Sequence, residues 1–138
     1  MTGRRLILIL LLIVPAAIFL SIRPEEMTPG FFSDEAVYYA MTRSLAEDGD
    51  LTWTRADMEA VCERYPAGPV GVILKELPDQ RIVYAKPLLF PLVAAPFFVV
   101  FGPTGFLILN LLAFWMILRW ITRLLGNTPQ AAIVAFGA

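Results

Sequence analysis

Apolar positions in this chain form long unbroken runs near its two ends, and only in the middle do they alternate with polar ones. Residues 6–22, LILILLLIVPAAIFLSI, contain no charge. Seventeen helical residues reach about 26 Å, short of a hydrocarbon core of about 30 Å but within the range of spanning helices. Pro15 should kink this helix, which membrane helices tolerate. A cleaved secretory signal competes, because Arg4-Arg5 precede the apolar stretch. The run is longer than a usual signal core, and no small-x-small site precedes Arg23, so a retained first membrane helix is predicted.

A second apolar region runs from Pro87 to Leu118 and is broken by Gly102-Pro103-Thr104-Gly105. Its first part, 87–101, carries Pro87, Pro91 and Pro96 and is too short to span comfortably. Residues 104–122 make a better second membrane helix, with Trp115, Arg119, Trp120 and Arg123 toward its far end. Trp and Arg together mark a cytoplasmic interface. If only this second part spans, Arg4, Arg5, Arg119 and Arg123 share one side, so 87–101 is predicted to lie on the outer interface. Residues 129–138 end in AAIVAFGA and resemble the opening of a third membrane helix. The expectation is an N-terminal piece of a longer α-helical integral membrane protein.

Residues 23–86 then form an extracytoplasmic loop. Ser33 reads as an N-cap, Asp34 and Glu35 as first-turn acids, and Gly49 as the residue past the helix end. Val37, Met41 and Leu45 make an apolar stripe, and Asp34 and Tyr38 lie one turn apart on a neighbouring line. Pro69–Glu76 and Arg81–Tyr84 flank Leu77-Pro78-Asp79-Gln80 and predict a β-hairpin.

Composition and charge sharpen this picture. Hydrophobic residues make up 58% and charged residues 17%, on opposite sides of the values of soluble domains. All 12 acids lie between Glu25 and Asp79, against seven bases from Arg23 to Lys86, so the middle carries 7 − 12 = −5 and the flanks +4. Acid-free basic flanks around an acidic centre fit a multi-pass protein of the cell (inner) membrane. The absence of histidine excludes Ser-His-Asp and Cys-His nucleophiles and His-ligated zinc. A single cysteine, Cys62, excludes an internal disulfide and a four-cysteine metal site. Nucleic acid is not an expected partner.

Three features could carry chemistry. Asp34-Glu35 could supply a general base or hold a divalent cation, the one candidate cofactor; equally, both acids suit a helix N-terminus. Glu47-Asp48-Gly49-Asp50 resembles an acidic metal cluster but also fits a helix end and turn. Lys86, before Pro87, could meet a lipid phosphate or anchor a helix by snorkelling.

In order, the first helix, SDEAVYYAMTRSLAEDGDL, YAKPLLFPLVAAPFFVVFG and a membrane helix ending in arginines resemble the N-terminal part of GT-C glycosyltransferases. The similarity is to the dolichyl-phosphate-mannose–protein mannosyltransferase and aminoarabinose-transferase group. It implies a polyprenyl-phosphate-linked sugar donor and a lipid, glycan or protein acceptor. It also implies Asp34 as catalytic carboxylate, Glu35 beside it, and Tyr38 and Lys86 as substrate contacts, Lys86 toward the donor phosphate. Val37 stands where the aminoarabinose branch has arginine, and the stretch between Trp53 and Tyr84 is an insertion. A small membrane protein whose acidic loop binds a partner is the competing class.

Overall fold

The structure, a computed structural model, describes residues 3–23, 26 and 28–124, with side chains from residue 9 onward. It is mostly helical, with helices α1 (Gly3–Ser21), α2 (Asp34–Glu47), α3 (Arg55–Arg64), α4 (Leu89–Phe101) and α5 (Thr104–Leu124). Short strands β1 (Gly30–Phe32), β2 (Gly68–Val70), β3 (Leu74–Glu76) and β4 (Ile82–Tyr84) lie between them. Two compact units result: α1 and α5 from Leu107 onward belong to one, and Arg23–Phe106 is the other.

In the first unit, α5 is the one helix among the described residues long and apolar enough to cross a membrane. Its 21 residues extend about 31 Å. Ile9–Ser21 and Leu89–Phe101 are shorter apolar helices. The expected third helix at 129–138 lies outside the described residues.

The second unit is built around α2. One side of this helix buries Val37, Ala40 and Met41 against Tyr84, with Leu51, Trp53 and Leu74 packed on the edge. Its other side joins Tyr39 to Val61, Tyr65 and Phe98, flanked by Phe31 and Phe106. The stripe expected at Val37, Met41 and Leu45 is thus only part of the contact surface: Thr42 and Ser44 are also buried. Thr42 stays satisfied because its hydroxyl donates to the Tyr38 carbonyl at 2.7 Å.

Helix α4 begins at Leu89, two residues after the expected start, and packs on α2 through Pro91, Ala94, Ala95 and Phe98. Pro91 falls in the first turn, where backbone N–H groups lack helical partners anyway. Gly102, at φ 58, ends the helix, and its N–H donates to the Phe98 carbonyl.

The hairpin is present as β3–β4, antiparallel, with Leu74 opposite Tyr84 and Glu76 opposite Ile82. The single expected strand 69–76 is corrected to two. Gly71, at φ 76, breaks it, and β2 runs instead beside β1 as a parallel pair. Those two backbones meet closely at Gly30, where a Cβ would stand 2.6 Å from the Gly68 carbonyl oxygen. Helix α3 was not expected. It starts from a complete capping box: Asp57 N–H donates to the Thr54 hydroxyl, and the Thr54 N–H donates back to the Asp57 carboxylate.

Candidate functional site

Asp34 and Lys86, 52 positions apart in sequence, meet in the second unit: Lys86 Nζ donates to Asp34 Oδ1 at 2.7 Å. The pair is asymmetric. The lysine side chain is 23% exposed and the aspartate 60%, so the cation is partly sheathed while the carboxylate stays open to solvent. The hydrogen bond to Asp34 raises the Lys86 pKa above its ordinary value; partial desolvation opposes this, and attraction to Asp34 and the nearby Tyr38 adds to it. Lys86 is therefore held as a cation.

Tyr38 sits one turn beyond Asp34 on α2, and its ring meets Phe90 edge-on with centroids 5.6 Å apart. The Asp34 helix, the Lys86 segment and the first turn of α4 thus converge at one place. Glu35 is exposed beside Asp34 and makes no ion pair among the described residues. Three of the four residues singled out from sequence are brought together, and Glu35 stands at the rim.

The link into α2 is unusual. Ser33 occupies the N-cap position at φ 53, ψ −123, and its side chain makes no capping hydrogen bond. A non-glycine residue in this region costs roughly 1–3 kcal/mol. Its backbone is tied at both ends: the Ser33 N–H donates to the Val70 carbonyl at 2.8 Å, and its carbonyl accepts from the Val37 N–H at 3.2 Å. Serine was expected to act through its hydroxyl; it acts through its main chain. No sequence signal marks this, since the position asks for glycine.

Elsewhere the acids have structural work. Glu47 pairs with Arg43 at 2.5 Å, Asp50 accepts from the Thr52 N–H at 2.8 Å, and buried Asp57 faces Arg43 at 3.3 Å. Among the described residues no group of three or more Asp, Glu or Cys side chains could hold a metal ion. A cleft of about 380 Å³ between α2 and α3 is lined by Tyr39, Arg43, Glu47, Ala60, Glu63 and Arg64. Burial raises the Tyr39 pKa there, against the lowering effect of Arg64 and Arg43. Its lining carries charges of both signs, Arg43 and Arg64 with Glu47 and Glu63.

The arrangement offers a carboxylate open to a hydroxyl, with a cation 2.7 Å away able to bind an anion. No family model, curated protein or solved structure matches the chain.

Proposed function

We propose that this chain is the N-terminal part of a membrane-embedded, inverting sugar transferase of the GT-C kind, with Asp34 and Lys86 at its centre. In this reading α1 and α5 cross the membrane, residues 23–86 face outward, and α4 lies at the outer interface. The observation that carries the reading is the Asp34–Lys86 contact: residues expected to serve acceptor and donor lie side by side although far apart in sequence. The outer face of α4 supports the membrane setting, because Leu89, Leu92, Val93, Val99 and Val100 are exposed without a charge among them.

The chemistry follows from the ion pair. A polyprenyl-phosphate-linked sugar brings an anion that replaces Asp34 as the partner of Lys86. That exchange frees the carboxylate. The acceptor hydroxyl then attacks the anomeric carbon, the bond from that carbon to the phosphate oxygen breaks, and its electron pair leaves with polyprenyl phosphate. Asp34 takes the acceptor proton. Lys86 stabilises the charge gathering on the leaving phosphate. Glu35 and Tyr38 flank the acceptor side.

The test is binding and topology together. A photoreactive polyprenyl phosphate should crosslink to the chain in lipid nanodiscs, and Lys86→Met should lose most of that crosslinking while remaining inserted. Unchanged crosslinking in Lys86→Met removes the phosphate role. Cys62, the only thiol, should react with an impermeant maleimide added outside intact cells. Labelling only from the cytoplasmic side would refute the orientation.

A further inference from the structure

The residues before the two members of the ion pair are tied to the same short stretch of chain. Ser33, next to Asp34, donates its N–H to the Val70 carbonyl at 2.8 Å. Ala85, next to Lys86, donates its N–H to the Ile73 carbonyl at 3.0 Å. Val70 and Ile73 are three positions apart, and between them the backbone turns at Gly71, φ 76. We infer that Val70–Ile73 is a bracket that sets the Asp34–Lys86 separation, with Gly71 as its positioning residue.

Each half of the bracket is pinned independently. On the Asp34 side, β1 and β2 are held in register by the close backbone approach at Gly30 and Gly68. Ser33 then takes a conformation that L residues avoid, and Gly71 lies directly behind it: a Cβ there would stand 3.5 Å from the Ser33 nitrogen. On the Lys86 side, β4 pairs with β3, which starts one residue after Ile73. A change in the turn at Gly71 therefore moves the two tethers relative to each other while leaving both strand pairs intact. The stretch belongs to the segment that looked like an insertion, so residues far from the motifs govern the geometry between them. Gly71 touches no reacting atom; it acts through Ser33 and Ala85.

The bearing of the bracket on sugar transfer rests on the function proposed above, but its test does not. The chain has two lysines, Lys75 and Lys86, and Lys75 lies exposed in β3. In nanodiscs at about pH 9, an amine-reactive ester read by mass spectrometry reports how well Lys86 is held as a paired cation, with Lys75 as internal reference. Asp34→Asn should raise the Lys86-to-Lys75 labelling ratio about threefold or more, because the free-amine fraction follows the pKa. Gly71→Ala should raise it similarly, since alanine disfavours the positive φ. Gly71→Asn, bulkier but tolerant of that φ, should retain the parent ratio, and so should Ser33→Gly. An unchanged ratio in Gly71→Ala, or equal rises for alanine and asparagine, overturns the bracket. No sugar donor is used, so a failed bracket and a failed transferase reading give separate results.

Discussion

Asp57→Ala should loosen α3 by a predictable amount. The Asp57 side chain is 6% exposed and accepts from the Thr54 N–H at 2.8 Å, the Thr54 hydroxyl at 2.6 Å and Arg43 at 3.3 Å. Losing the carboxylate half of a capping box costs about 1 kcal/mol. The charge-assisted bond to Arg43 adds about 1.5–3 kcal/mol. Arg43 keeps Glu47 as partner, so the larger penalty of an unpaired buried charge does not arise. The sum is about 2.5–4 kcal/mol, or roughly a 60- to 700-fold gain in local opening, since about 1.4 kcal/mol is tenfold. Amide hydrogen exchange over Arg55–Arg64, followed by mass spectrometry in nanodiscs, reads that gain directly. Asp57→Asn keeps an acceptor oxygen and should give a smaller increase. Acceleration below about threefold in Asp57→Ala would mean that the buried carboxylate does not fasten α3, and the energetic account of this unit would fail.

Gly30→Ala should separate β1 from β2, because its Cβ would meet the Gly68 carbonyl oxygen at 2.6 Å; a loss of about 1–3 kcal/mol, read as faster exchange at Phe31 and Val70, is expected. Lys86 should titrate above the ordinary lysine value of 10.5 in the parent and return toward it in Asp34→Asn, as seen by ¹⁵N resonance of the ammonium group. The sign follows: stabilisation by this pair is complete below the unfolded value and is lost as pH rises through the raised one. Tyr84→Phe should change stability by no more than about 1 kcal/mol, because the buried phenol oxygen, although beside Ser44, has no hydrogen-bond partner at bonding geometry among the described residues. Burial, with Asp57 nearby, raises the Tyr84 pKa, so the parent should lose stability above about pH 10 and the phenylalanine variant should lose less.

Elements written by strong local rules were legible. The apolar stretch at 104–122 became α5, the proline-bounded run became α4, and first-turn acids with Gly49 bounded α2. The Leu77–Gln80 turn marked the hairpin because its residues favour reversal on their own. Helix α3 was missed since its interior, ADMEAVCE, has little apolar periodicity; Thr54-x-x-Asp57 was the signal that would have found it. The β1–β2 pair was invisible for a different reason. Three-residue strands carry almost no alternation, and a parallel partner 38 positions away leaves no local trace. The site follows the same division. Asp34, Tyr38 and Lys86 could be picked by residue type and order, whereas the strained Ser33 and the tethers at Val70 and Ile73 exist only through that long-range pairing.

Small side chains where α2 meets α4 have a metric consequence. Ala94, Ala95 and Pro91 are buried on α4, and from α2 the rings of Tyr38 and Tyr39 reach across to Phe90 and Phe98, so small residues on one helix make room for large rings from the other. Should α4 rest on hydrocarbon, as proposed, the spacing of the two helices would help set how far Asp34 and Lys86 stand from the acyl chains. Larger residues at 94 and 95 would press on those rings and widen that spacing. The two alanines thereby bear on the spacing of α2 and α4, and in the proposed setting that spacing is one determinant of the depth at which the pair would meet a lipid-borne phosphate.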